Sequence, residues 1–301
     1  MAKFIFGSGL VALIARKMLG SEYRLIPFGK SRFYSFNPPT ADNFIISNPS
    51  IDYCMNDMFG LQSKFKYNRS YSVNGDLVKS SNDIINRFLI KTCDFDPPPH
   101  AVPYYAAQDS FEVYGLRCTD IYSKLVEEYK DEIASSLNNF QNVVGLNNDH
   151  IQFSNGKKVE YDEIVNTIPM DVLLSLMGLN HSLKANPVHI IHLISDSIDL
   201  EGYNQVFVVD PQIDFYKVVR IDSNRYLFYF LNDHVSHGIY LMGFIRGTFD
   251  ILDGTRIDNY ILKGGIPKWS HPKIKNIGSY AQWDDCMDIG SCIYRLYLSK
   301  I

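Results

Sequence analysis

The sequence predicts an α/β protein in which a Rossmann-like nucleotide-binding domain is interleaved with a β-rich α+β domain. Three observations carry that expectation. A short apolar strand at the start of the chain runs through a glycine turn into a helix. Strand-prone segments bounded by turn residues then fill most of the middle. A later apolar strand that ends in a proline, and a closing helix, have the character of the first unit. Two units woven together fit this order better than two in tandem.

Lys3-Phe4-Ile5-Phe6 is the opening strand, followed by Gly7-Ser8-Gly9. Leu13 to Leu19 has helical apolar spacing with Gly20 as its stop, and Tyr23 to Ile26 is a second strand halted by Pro27. Strand, glycine turn, helix and strand make the start of a βαβ unit. From Phe36 to about Gly115 no helical period is sustained, and Pro38-Pro39 and Pro97-Pro98-Pro99 interrupt the chain. Tyr71 to Val78 reads as a hairpin, because Asn74-Gly75 suits a type I′ turn with two positive φ angles. Asp83 to Ile90 reads as a short helix. Asp120 to Leu137 is a longer one, with Ile121, Leu125 and Ile133 on one face and Thr119 or Asp120 as cap. A second hairpin turns at Asn155-Gly156, and Glu163 to Met170 reads as a buried strand ending at Pro169. Residues 187–250 are strand-rich, and Asp288 to Lys300 reads as the closing helix. No internal repeat is visible.

Composition narrows the function classes. With 301 residues, 46% hydrophobic and 21% charged, the chain can bury a substantial core without staples. Lys plus Arg is 29 against 33 Asp plus Glu, a net charge of −4 that disfavours wrapping a long nucleic acid. Cys54, Cys93, Cys118, Cys286 and Cys292 are scattered without CxxC spacing, so neither a zinc site nor a disulfide framework is predicted. No apolar run is long enough to span a bilayer, and the first residues lack the layout of a cleaved leader. The expectation is a cytoplasmic protein with no membrane partner and no metal. Its one compositional oddity is 14% aromatic residues.

Gly7-x-Gly9-x-x-Ala12 is the first candidate site. Gly7 permits a tight strand-to-helix turn, Gly9 lets backbone approach a pyrophosphate, and Ala12 allows close helix packing. The helix start then offers free N–H groups and a positive dipole end to the anion. The acidic residue that usually binds the ribose is missing from the end of the second strand, which reads Ile26-Pro27-Phe28-Gly29-Lys30-Ser31-Arg32. Lys30 and Arg32 either hold a phosphate or belong to a solvated loop.

The second candidate is Asn276 to Gly290, with Gly278, Trp283, Met287, Asp288 and Ile289 in order. This glycine-aromatic-Trp-Met-Asp sequence resembles the last motif of the flavin-dependent amine oxidase superfamily, which includes protoporphyrinogen-oxidase-like proteins and UDP-galactopyranose mutases. Tyr161 to Pro169 resembles that family's strand returning to the nucleotide domain. Phe215 to Arg220 resembles a strand of its substrate domain, and Tyr71 to Val78 its early hairpin. The resemblance implies FAD as cofactor, with a glycine close to the isoalloxazine and a Met-Asp pair opening the final helix. Taken with the residues read above, the candidate cofactor-binding set is Gly7, Gly9, Ala12, Lys30, Arg32, Val144, Pro169, Gly278, Trp283, Met287, Asp288 and Ile289. The resemblance also implies an FAD domain from residues 1–36, 116–175 and 272–301, with the substrate domain from 37–115 and 176–271. Two features depart from the family: Ser279 stands where many relatives carry arginine, and the chain is shorter than typical relatives.

Other side chains invite readings of their own. His189 and His192 lie in a strand context, and three residues apart on a strand they face opposite ways, so they cannot share a metal. His234 and His237 carry the same spacing in β-prone or turn context. Asp284-Asp285 reads as a turn and Cys286 and Cys292 as inert thiols. Tyr53, Tyr67, Tyr71, Tyr104, Tyr105, Phe207, Tyr216 and Tyr229 either line a cavity or form sheet core. Tyr216, Arg220, Tyr229 and Trp283 are the candidates for substrate contact, with Arg220 or Arg225 for an anionic group. The leading expectation is FAD-dependent oxidation of an amine carbon–nitrogen bond. Alternatives are a non-redox mutase acting on a nucleotide-linked sugar, an enzyme acting on an amino-modified base in phage DNA, and a scaffold with a decayed cofactor site.

Overall fold

The structure is a computed structural model that describes residues 2–28, 44–47, 49–60, 62–93, 109–139, 142–231, 247–263, 269–282 and 289–300. The chain opens with β1 (Lys3–Phe6), α1 (Leu10–Leu19) and β2 (Tyr23–Ile26) as the sequence predicts. Gly20 ends α1 at φ +84°, returning its N–H to Arg16 O. Then come β3 (Phe44–Ile46), α2 (Pro49–Phe59), β4 (Lys64–Val73), β5 (Asp76–Val78), α3 (Asn82–Cys93) and β6 (Ser110–Arg117). Helix α4 (Cys118–Asn139) leads to β7 (Val143–Leu146), β8 (His150–Phe153), β9 (Lys158–Glu160), β10 (Glu163–Asn166) and α5 (Met170–Leu176). Next are β11 (Lys184–Ile194), β12 (Gln205–Val208), β13 (Phe215–Arg220), β14 (Arg225–Phe230) and β15 (Asp250–Lys263). The chain closes with β16 (Ile274–Asn276), α6 (Ser279–Gln282) and α7 (Ile289–Lys300).

Four strands form a parallel sheet in the order β16-β10-β1-β2. Their side chains alternate between two cores, as the pleat requires. Ile5, Leu25 and Val165 face a helical layer with Leu13 and Ile14 of α1, Ile121 and Leu125 of α4, and Ile293 and Leu296 of α7. Phe4, Phe6, Ile26 and Ile164 face the other way, onto Ile151 and Phe153 of the three-stranded β7-β8-β9 sheet and Leu173 of α5. With both faces covered, these strands read as continuous apolar runs. Ion pairs fix the helical layer. Arg16 of α1 meets Glu132 of α4 at 2.9 Å, and Lys17 meets Glu128 at 2.8 Å. Glu132 also accepts the Leu25 N–H, so α4 is tied to both α1 and β2.

The second, larger sheet has the order β15-β11-β14-β13-β12-β4-β6-β3, with β5 paired to β4. Its described pairings are antiparallel except β4 with β12. One face packs Leu193, Val206, Val208, Phe215, Phe228 and Phe230. The other packs Tyr71, Phe207, Tyr216 and Tyr229 against Ile85, Phe88 and Leu89 of α3. The β4–β5 hairpin turns through Asn74 and Gly75, both at positive φ, the expected type I′ turn. At the second hairpin only Gly156 has positive φ. Gly156 N–H reaches Phe153 O and Phe153 N–H reaches Lys157 O, a type I turn closed by a glycine bulge.

Three elements depart from the sequence reading. Helix α2 lies inside the stretch that showed no sustained helical period. Its buried Ile51, Cys54 and Met55 have helical spacing, but over too short a run to stand out, and Pro49 occupies a position that suits a helix start. The strand expected to run from Glu163 to Met170 ends at Asn166, and Met170 instead opens α5 behind Pro169. Helix α4 starts at Cys118, ahead of both expected caps, so Asp120 lies in its first turn.

Candidate functional site

The four parallel strands end together. Phe6 is in register with Ile26 on one side and Asn166 on the other, and Asn166 with Asn276. Four loops therefore leave one sheet edge side by side: Gly7-Ser8-Gly9, Pro27-Phe28, Thr167-Ile168-Pro169 and Ile277-Gly278. Strand β1 is flanked by β2, which follows α1, and by β10, which arrives much later in the chain. Open parallel sheets bind ligands at the carboxyl edge where strand order reverses in this way.

Gly7 has φ +113°, and a Cβ added to it would overlap Thr167 Oγ1. Thr167 cannot easily yield, since its N–H and its Oγ1 both donate to Phe6 O, at 3.0 and 2.7 Å. Gly9 is different. It is the exposed N-cap of α1 at φ −67°, and an added Cβ would meet no atom within 4 Å. Ala12 is fully buried among the helical layer. Helix α1 has no side-chain cap and no acidic residue in its first turn. Its leading N–H groups thus face the sheet edge with a partial positive charge. Open space beside Gly9 and an uncapped helix start fit the diphosphate of a dinucleotide.

The C-terminal motif arrives at the same place. Gly278 has φ +110°, and a Cβ on it would touch the Val11 side chain at 3.7 Å. The segment after β16 therefore lies on the first turn of α1, bringing Gly278 next to the Gly7-Ser8-Gly9 loop. Ile289 begins α7 and packs against the core that holds Ala12. Pro169 is the N-cap of α5, just beyond the Thr167–Ile168 contact with Gly7. Val144 lies on β7, 53% exposed. Lys30, Arg32, Trp283, Met287 and Asp288 lie outside the described residues, as do Tyr104, Tyr105, His234, His237, Asp284, Asp285 and Cys286.

The aromatic candidates disperse. Tyr216 and Tyr229 belong to the core under α3 and offer solvent almost no surface. Tyr71, buried in that core, is pushed up to about 12 by desolvation. Tyr53 sits on α2, 66% exposed, with its ring against Tyr297. Arg220 ends β13, half-buried. On β11, Val188 and Ile190 face one core and Ile191 and Leu193 the other, so His189 and His192 point to opposite faces. Cys54, Cys118 and Cys292 are buried, and none of them is in a disulfide among the described residues. Among the described residues no cluster of His, Cys, Asp or Glu is placed to hold a metal. No described helix is long and apolar enough to cross a membrane.

Sequence reasoning missed two groups. The first is Asn166, 0% exposed at the end of an apolar strand, which donates to Asn276 Oδ1 at 3.0 Å. An amide closing Glu163-Ile164-Val165 just before Pro169 is the signal that could have found it. The second is Lys217, whose buried ammonium lies 3.6 Å from the Tyr229 ring centroid. A lysine in the run Phe215-Tyr216-Lys217-Val218-Val219 could have drawn notice on the same ground.

No family model matches the chain, and no curated protein matches it. Solved structures do. A reduced UDP-galactopyranose mutase superposes with TM-score 0.66 at 12% identity, over 97% of this chain and 91% of that one. An oxidoreductase from Methanosarcina mazei gives TM-score 0.63 at 10% identity, over 99% of both chains. A flavoprotein/dehydrogenase from Cytophaga hutchinsonii gives 0.52 at 13% identity, over 99% of this chain and 79% of that one. The chain therefore shares the fold of these proteins, an α/β architecture with a Rossmann-like parallel sheet, as the sequence predicts.

Proposed function

We propose that this chain binds FAD at the carboxyl edge of the β16-β10-β1-β2 sheet and oxidises the carbon–nitrogen bond of an amine. The observation that carries the reading is the uncapped start of α1 behind the open face of Gly9, with Gly278 laid against Val11. When bound, FAD supplies a two-electron acceptor. The chain's part is binding and orientation. The first N–H groups of α1 hold the diphosphate, and Gly9 lets it come close to the backbone. Gly7, locked against Thr167, keeps that loop in place, and Gly278 brings the C-terminal segment alongside. The resemblance extends the binding set to Trp283, Met287 and Asp288, and the basic loop after β2 adds Lys30 and Arg32 as candidates for a phosphate. The amine carbon would pass its hydride to that acceptor and the nitrogen its proton to water, and water would then convert the imine to a carbonyl compound and a free amine or ammonia.

Purified protein is expected to be yellow and to release FAD on denaturation. Colourless protein that cannot be reconstituted with FAD overturns the reading. Anaerobic mixing with amino acids, polyamines or amino-modified nucleosides should bleach the bound flavin, and failure with all three classes removes the amine. The likeness to a reduced UDP-galactopyranose mutase favours one second reading, a reaction on a nucleotide sugar without net redox change. That reading predicts turnover only after chemical reduction of the protein.

A further inference from the structure

Asn166 and Asn276 are the last paired residues of two adjacent parallel strands. Their neighbours along β10, Ile164 and Val165, are apolar and buried, so a wholly buried amide needs a reason. Burying one costs stability unless its hydrogen bonds are made. Asn166 makes three. Its Nδ2 donates to Ile168 O at 3.2 Å and to Asn276 Oδ1 at 3.0 Å, and its Oδ1 accepts the Ile168 N–H at 3.3 Å. The side chain thus holds both backbone groups of Ile168, fixing the loop that locks Gly7 through Thr167. On the other strand, Asn276 O accepts from Gln282 Nε2 at 2.7 Å, while Gln282 N–H returns to Gly278 O at 2.9 Å. Arg295 of α7 donates in turn to Gln282 Oε1. One series of hydrogen-bonded residues runs from Ile168, which follows Thr167 in the loop against Gly7, through Asn166 and Asn276 to the turn that carries Gly278.

We infer that the Asn166–Asn276 amide pair is a positioning device that sets the spacing between the Gly7-Ser8-Gly9 loop and the 277–282 turn. It thereby holds the two ends of the cofactor site at the separation FAD needs. The inference rests on the flavin reading above. An apolar pair would close the same gap between β10 and β16, but it would leave the Ile168 N–H and C=O without the partners that Asn166 supplies, so the pair steadies this loop as well as placing it. What an apolar pair cannot do is hold Ile168 by both its backbone groups.

The test follows from that difference. The double variant Asn166→Leu/Asn276→Leu is compared with the natural chain in two measurements: thermal unfolding of the apoprotein, and the Kd for added FAD from quenching of flavin fluorescence. Positioning predicts an apoprotein that still unfolds cooperatively, at a temperature lowered by the unpartnered Ile168 groups, and a Kd, measured well below that temperature, raised about tenfold or more, the loss of one to two net hydrogen bonds. A Kd within twofold of the natural value in the folded double variant overturns the inference and leaves the flavin reading standing. Should the double variant not fold, Gln282→Leu breaks the same series at its half-buried far end. It is expected to weaken FAD binding with the apoprotein intact, and a natural Kd there also overturns the inference. A natural chain that takes up no FAD overturns the flavin reading and the inference together.

Discussion

Gly7→Ala tests the geometry of the sheet edge without any cofactor. Two costs add. At φ +113° an alanine sits in a backbone region nearly reserved for glycine, a strain on the order of 1–3 kcal/mol. Its Cβ would also overlap Thr167 Oγ1, which must swing away and give up its 2.7 Å bond to Phe6 O, about 1 kcal/mol more. The sum is about 2–4 kcal/mol of lost stability. Urea unfolding of the natural chain, of Gly7→Ala, of Thr167→Ala and of the double variant separates the two parts. Thr167→Ala removes the obstacle and leaves the strain, so the double variant should be more stable than the two single losses predict, by about 1 kcal/mol. A Gly7→Ala protein within about 0.5 kcal/mol of the natural one refutes the contact, and strict additivity refutes the coupling with Thr167.

The contrast lies two residues on. The Cβ of Gly9→Ala meets no atom of the protein within 4 Å, so apoprotein stability should change by less than about 0.5 kcal/mol while FAD binding falls, read by equilibrium dialysis. Lys91 gives a pH dependence. Burial pulls its ammonium down to about 7 although Asp210 and Asp214 pull upward, and the unfolded chain keeps the proton to 10.5. Between those values the unfolded state holds more protons, so stability should rise with pH from about 7 by an amount on the order of a few kcal/mol. Lys91→Met should flatten that slope, while losing the bonds to Asp210 O and Phe215 O at every pH. Asp52 gives a slope of the same sign in a lower pH window. Lys64, Tyr114 and Ser47 hold its carboxyl below the usual range, so its contribution is present at neutral pH and lost as acid protonates it. Asp52→Asn should lower stability at pH 7 and narrow the further loss as acid protonates the carboxylate, measured by urea titration.

How much of this was legible depends on how local the cause is. The β1–α1–β2 unit was legible because each boundary has its own residue: Gly7 at the turn, Gly20 at the helix end, Pro27 after β2. The Asn74-Gly75 hairpin was legible for the same reason, since positive φ at two successive residues is a local demand. Helix α2 was not. Its apolar face shows only in Ile51, Cys54 and Met55, and its burial depends on α7, far along the chain. Strand β16 is three residues long and is a strand because β10 offers it a ladder. Such elements are made by partners, and the sequence carries no mark of the partner.

The candidate site divides along the same line. That Gly7-x-Gly9 opens a helix is written in a dozen residues. That Gly278 comes to rest against Val11 is the result of β16 entering the sheet beside β10, a fact of topology. The two motifs lie about as far apart in sequence as the chain allows, and parallel pairing brings them to one edge. The residues that tie this edge together are polar where the pattern expects apolar. Asn166 ends a run in which Ile164 and Val165 set the expectation, and it breaks the rule at full burial. A polar residue at a core position is a local inconsistency, and such inconsistencies concentrate where a fold is specialised. Read that way, Asn166 was the most informative residue of its strand. Its meaning became visible only once Asn276 stood opposite it.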